Sequence, residues 1–176
     1  SPAAKALGIT SGSKANLTVE AGTKLAVGDV YNYNTLTNKG TLEITRELLA
    51  QKDANSYKGD TILGEGSEFI LSNASGKKSI GSLKVAEDAV SRPKLKLARV
   101  ADAEGKTASD KSNPYILNIT ATKPLAKLKQ DVQKIEISYC SGTEANGDII
   151  FNLPNAEAKT DITVEPLFSA FGGEYL

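Results

Sequence analysis

Few side chains in this sequence sit at spacings that carry chemistry. Tyr31 and Tyr33 alternate with Asn32 and Asn34, so an extended strand puts both rings on one face. Such a face suits weak stacking on a sugar ring, and its plainer reading is a half-buried aromatic pair on a sheet. Asp102 and Glu104 place carboxylates at alternate positions, as a calcium loop begins. Calcium also needs further oxygen ligands in a fixed order and a closing bidentate Glu, which is missing, so a solvated turn is expected. Gly59, Gly64 and Gly66 cluster as in a phosphate cradle, but the residues after Gly66 read as strand where a cradle needs a helix. Gly105-Lys106-Thr107 has the ending of a phosphate-binding loop, yet Val100 stands where its first Gly is required. Cys140 follows the apolar run Ile135–Tyr139 and reads as an inert small side chain.

The composition narrows the chemistry further. Among 176 residues there is no His, no Trp and no Met, and there is one Cys. A Ser-His-Asp or Cys-His site cannot be built within the chain, nor can a zinc site made of His and Cys. Paired carboxylates, Lys and Tyr remain, but sugar-cleaving sites usually carry Trp to stack on the ring, so a glycosidase is disfavoured. The expectation is a protein that is not an enzyme, with no cofactor and no metal. Lys plus Arg number 21 and Asp plus Glu number 21, so the formal net charge is zero. That balance argues against nucleic acid and against a polybasic membrane surface. No apolar run approaches the roughly 18 residues of a membrane span. Ser1 is consistent with a trimmed initiator or with a removed signal peptide, and an extracellular or cell-surface location is expected. Asn16, Asn73 and Asn118 begin glycosylation sequons, at about the number chance would place.

The elements that must position these residues are short. Leu17 and Val19, Leu25 and Val27, Leu42 and Ile44, and Phe69 and Leu71 each alternate with polar residues. So do Leu83 and Val85, Leu95 and Leu97, Leu117 and Ile119, Ile135 to Tyr139, and Ile162 and Val164. Period-two runs of this kind read as strands with one solvated face. Gly22, Asn38-Lys39-Gly40, Gly64-Glu65-Gly66 and Asn146-Gly147 punctuate them with turn residues. The pattern predicts an all-β chain, an antiparallel β-sandwich of jelly-roll or Ig-like type with one or two short helices. Asn146-Gly147 predicts a hairpin between Ile135–Cys140 and Ile149–Leu153. Thr45–Gln51 predicts one or two helical turns. Residues 124–132 predict a short helix, with Leu125, Leu128 and Val132 on one side. Residues 101–113 hold no large apolar side chain and read as a surface loop. Residues 1–12 read as an extended arm with Leu7 and Ile9 on one face, ahead of a single domain over 13–176. The last ten residues carry Phe168, Phe171 and Tyr175, and an apolar tail of this kind docks somewhere.

Residues 15–44 run Ala-Asn-Leu-Thr-Val-Glu-Ala-Gly-Thr-Lys-Leu-Ala-Val, and later Tyr-Asn-Tyr-Asn-Thr-Leu-Thr-Asn-Lys-Gly-Thr-Leu-Glu-Ile. This stretch resembles the strand-and-turn pattern of bacterial β-solenoid surface proteins. It also resembles that of β-rich extracellular filament subunits of the camelysin/TasA group. Past residue 45 no repeat of fixed period continues, which favours the sandwich over the solenoid. Both resemblances imply a structural part of a cell surface or assembly. The functional expectation is a homopolymer built by strand addition, with Leu7 and Ile9, or Phe168 and Phe171, as the donated side chains. The partners are further copies or other surface subunits. A capsid, decoration or tail subunit of a virion uses the same physics. A carbohydrate-binding or adhesin module on the Tyr31/Tyr33 face is the expectation from a different class.

Overall fold

The computed structural model describes residues 7–9, 15–46, 59–72, 78–98, 114–119, 125–140, 147–153 and 161–166. The expected strand runs are strands, but they stack in successive coils. The first coil holds β1 (Leu7–Ile9), β2 (Asn16–Val19) and β3 (Lys24–Val27). The second holds β4 (Val30–Asn32), β5 (Thr35–Asn38) and β6 (Thr41–Ile44). The third contributes β7 (Asp60–Leu63) and β8 (Glu68–Leu71), and the fourth β9 (Lys78–Ile80), β10 (Ser82–Val85) and β11 (Lys94–Leu97). The fifth runs through β12 (Tyr115–Ile119), helix α1 (Leu125–Gln133) and β13 (Glu136–Tyr139). β14 (Ile149–Asn152) opens a sixth, and β15 (Asp161–Val164) ends the described chain.

Each strand pairs in parallel with the strand one coil away. The second face is β10-β7-β5-β2 and the third is β13-β11-β8-β6-β3. On the first face β1 pairs with β4, and β9, β12 and β14 pair in that same place in the turn. Only β15 runs antiparallel, on β14. The antiparallel sandwich is therefore wrong, and so is the hairpin at Asn146-Gly147, because β13 and β14 lie in different sheets. Alternation reports which side of a strand is buried and is silent on the direction of its neighbour. The turns mislead in the same way. Thr23 N–H donates to the Glu20 carbonyl at 3.1 Å, with Gly22 at φ 79°, which is a β-turn of the kind that closes hairpins. Here it is a corner that passes the chain from β2 on one face to β3 on the next. Gly64–Ser67 is the same corner two coils on, with Gly66 at φ 64° and a Ser67 N–H to Gly64 carbonyl bond.

Parallel register stacks like on like. The third face aligns Leu25, Leu42, Phe69, Leu95 and Ile137 in one inward column, with Val27, Ile44, Leu71, Leu97 and Tyr139 in the next. All but Leu25 are buried. Each such side chain contributes roughly 1.5–3 kcal/mol by leaving water, so these columns hold the coils together. Polar residues enter the interior only at corners. The buried Asn32 accepts from Asn34 N–H at 3.0 Å and donates to the Asp60 carbonyl of the next coil at 3.1 Å. Asn38 does the same, accepting from Gly40 N–H and donating to the Glu68 carbonyl at 2.7 Å. A Cβ at Gly40 would overlap the Glu20 and Thr23 carbonyl oxygens, so the tight corner requires glycine.

The helix forms where it is expected. Leu128 and Val132 are buried, Lys127, Lys129 and Gln130 are exposed, and the bond from Ile135 N–H to the Val132 carbonyl closes its last turn. The helical turns expected from Thr45 lie mostly outside the described residues. Thr45 and Arg46 themselves continue the ladder, donating to the Val27 and Gly28 carbonyls. Residues 101–113 also lie outside the described set.

Candidate functional site: the open end of the coil

The first coil is finished differently from every other. Leu7 N–H donates to the Asp29 carbonyl, and Tyr33 N–H to the Ile9 carbonyl. Thr35 and Lys39 N–H donate to the Ala15 and Val19 carbonyls, and Thr41 and Thr45 N–H to those of Thr23 and Val27. In a parallel ladder, main-chain groups alternate in direction along the strand. The groups of Leu7, Ile9, Leu17, Val19, Leu25 and Val27 thus face the second coil. Those of Gly8, Asn16, Thr18, Lys24 and Ala26 face outward along the coil axis. Among the described residues no strand pairs with that side of β1, β2 or β3. The side chains tell the same story. Leu7, Leu17 and Leu25 are only partly buried, whereas the residues stacked on them, Val30, Leu36 and Leu42, are fully buried. Exposed strand edges are usually blunted by charge or proline. β1 and β2 carry neither, and β3 carries only Lys24, which lies 3.9 Å from Glu43.

The far end is closed. α1 stands where a fifth strand of the second face would lie and packs on β10. Its buried Asp131 accepts a hydrogen bond from Val85 N–H at 3.3 Å, capping a main-chain donor of that last strand. β15 covers the edge of β14. Between α1, β13 and β15 runs a cleft of about 630 Å³, with Val132, Ile137 and Ile162 among its apolar walls and Arg92, Lys129 and Glu165 among its charged ones. Nearby, Tyr139 Oη donates to the Gly147 carbonyl at 2.9 Å, and its ring meets Tyr115 edge-on at 6.5 Å.

The sites expected from sequence fall as follows. Leu7 and Ile9 are not held out for a neighbour: they form β1, paired with Val30 and Asn32 of their own chain, and Ile9 is buried. Phe168 and Phe171 lie outside the described residues, as do Asn73 and the segment around Asp102 and Glu104. Tyr31 and Tyr33 share the outer surface, each 40% exposed, but Asn32 is buried in the corner and unavailable to a sugar. Gly59 and Gly64–Ser67 are corner residues, as the structural reading of those glycines has it. Cys140 is half-buried and its thiol is pushed up to about 11, mainly by burial, with Lys96 opposing. Among the described residues no cluster of His, Cys, Asp or Glu could hold a metal ion, and no helix is long and apolar enough to cross a membrane.

The open edge itself was missed by sequence reasoning. Its signal is the recurrence of Gly-Thr ahead of Leu, at Gly22-Thr23-Lys24-Leu25 and at Gly40-Thr41-Leu42, continued by Gly66-Ser67-Glu68-Phe69. These segments stack in register, and the first of them has nothing above it among the described residues. No family model matches the chain, and neither does any curated protein or solved structure.

Proposed function

We propose that this chain is a non-enzymatic structural subunit of an extracellular filament or cell-surface layer, joined to its neighbours by β-strand addition at the first coil. One observation carries the reading: three adjacent strand edges without a partner, lined by half-buried leucines, at one end of an otherwise closed stack. A strand laid on such an edge gains a ladder of main-chain hydrogen bonds and buries alternate side chains, which is how edge addition binds. The chemistry available elsewhere is meagre. The described surface offers ion pairs such as Lys84–Asp60 and Lys96–Glu68 that tie neighbouring coils together. Electron microscopy of the purified chain tests the reading. Ordered polymers or sheets are expected, with slowed amide exchange at Asn16 and Thr18 on assembly. A solitary particle that turns over a small molecule overturns it.

A second reading rests on Tyr31 and Tyr33. They are two of the three large apolar side chains exposed among the described residues, and Gly8 stands in register beside Tyr31 with open space where a Cβ would be. A shallow aromatic shelf of this kind suits a sugar ring. Glycan binding by the isolated chain, abolished by Tyr31→Ala with Tyr33→Ala, supports it. Binding that survives both changes removes it.

A further inference from the structure

We infer that the first coil is self-complementary, so that two copies of this chain pair head to head, β2 antiparallel to β2, about a twofold axis at Leu17. The inference rests on the strand-addition reading above and names what is added. The two ends of the stack differ, and that difference decides the geometry. α1 and β15 occupy the edges of β10 and β14, so a second copy cannot continue the coil there. A contact that uses open edges on both sides must therefore bring like to like, which makes it isologous and closed.

The register follows from the alternation already described. Asn16 and Thr18 turn their N–H and C=O groups outward, and Leu17 between them turns its side chain toward the interior column that continues with Leu36. A twofold axis at Leu17 sets Asn16 opposite Thr18 of the second copy, and Thr18 opposite its Asn16. Each of these is a pair that exchanges both main-chain hydrogen bonds in an antiparallel ladder. Leu17 then faces Leu17 in the closer, non-bonded position, and the half-buried side chain gains the cover that Leu36 already has. The same axis carries the first face over the third, bringing β1 toward β3 of the second copy. Lys24 then meets Leu7, Gly8 and Ile9, and no like charges face each other. A second copy also has the same cross-section, so all three edges meet partners at once.

The full 176-residue chain is the test object. Sedimentation over a range of concentrations is expected to show a single monomer–dimer equilibrium. Thr18→Pro removes an outward N–H that the chain's own ladder does not use, and proline is tolerated on that side of an edge strand. It is expected to weaken the dimer by about tenfold or more while leaving the circular dichroism unchanged. Leu17→Cys in a Cys140→Ala background supplies a positive readout that does not depend on losing a contact. Directly opposed, non-bonded strand positions suit a disulfide, so a covalent dimer is expected on mild oxidation. A chain that stays monomeric, an open-ended ladder of sizes, or a dimer neither weakened by Thr18→Pro nor cross-linked through position 17 overturns the pairing. A chain that sediments as a monomer yet forms ordered polymers in the microscope sinks the twofold and spares the structural reading. A cross-linked dimer that catalyses a reaction does the reverse.

Discussion

At the first coil Leu17 and Leu25 remain half in water, and five residues aim their main-chain groups at nothing described. At the last coils Leu128, Phe151 and Leu153 are shut away, and a helix and a reversed strand sit across the ladder. Both ends begin from the same inward alternation of aliphatic side chains. What separates them is how the edges are finished. A parallel stack has a natural tendency to recruit more strand, and a protein that must stop growing has to break the repeat. This chain breaks it at one end by substituting α1 for a strand and by running β15 backwards. It leaves the other end in register for addition. The contrast implies that stability is concentrated at the closed end and binding capacity at the open one.

That division is open to direct attack by mutation. Leu128→Ala removes a fully buried side chain from the helical cap, and a change of this type costs about 2–5 kcal/mol. Leu17→Ala removes the same atoms from a half-covered site, and about 1 kcal/mol is expected for the isolated chain. Urea unfolding of both variants in the dilute, unassociated protein measures the gap. Equal losses would mean that the first coil is as well covered as the last, and the asymmetry would fall. Asp131→Ala sharpens the point, because it strips the acceptor from Val85 N–H and leaves a main-chain donor buried. About 1–3 kcal/mol is expected, with Asp131→Asn recovering part of it.

A smaller effect separates two tyrosines within the closed end. Tyr139 Oη donates to the Gly147 carbonyl, whereas the buried Tyr115 Oη has no hydrogen-bond partner among the described residues. Burial drives the Tyr115 hydroxyl pKa well above its ordinary value of 10.0, with Tyr139 and Cys140 adding to the shift. An unpaired buried hydroxyl is a cost to the fold, and a paired one is a modest gain. Tyr139→Phe is therefore expected to lose about 1 kcal/mol, and Tyr115→Phe to lose nothing or to gain. Thermal melts of the two variants side by side decide it. A clear loss in Tyr115→Phe would show that its hydroxyl has a partner after all.

Strand positions were readable because Leu42 and Ile44, or Leu95 and Leu97, alternate with polar neighbours whatever the sheet does around them. Pairing direction was not, because a β-turn such as Glu20–Thr23 has the same residues whether it reverses a strand or turns a corner. The repeat was hidden by uneven coils. Thr41 pairs with Lys24 after 17 residues, and Glu136 pairs with Lys94 after 42. With that spread no fixed period survives past residue 45, although the stacking continues. Asn32 and Asn38 misled for a different reason. An amide usually marks a solvated position, but at a corner it satisfies one main-chain group in its own coil and one in the next, so it is buried. The helix over 125–133 was readable because Leu125, Leu128 and Val132 follow a period that no strand shares. That it replaces a strand in the stack depends on contacts with β10 that lie far away in the chain.

The smallest expected effect lies between the ends, on the outer side of the third face. Lys96 Nζ lies 2.8 Å from a Glu68 carboxylate oxygen, bridging adjacent coils. That hydrogen bond, aided by the charges of Lys96, Lys94 and Lys24 and opposed by partial burial, holds the Glu68 carboxyl below its ordinary value of 4.5. A depressed carboxylate stabilises the fold above the unfolded pKa, and the contribution disappears as pH falls through the folded one. Glu68→Gln is thus expected to cost about 0.5 kcal/mol or less near neutrality, where water and salt screen so exposed a pair. The difference from the parent chain should shrink below pH 4.5 and vanish once both states are protonated. It should also shrink in high salt, unlike the losses at Leu128 and Asp131. Urea titrations at neutral and acid pH make the measurement. A gap that persists in acid would mean that Glu68 acts through packing, and the outer columns would then share in the stability assigned here to the closed end.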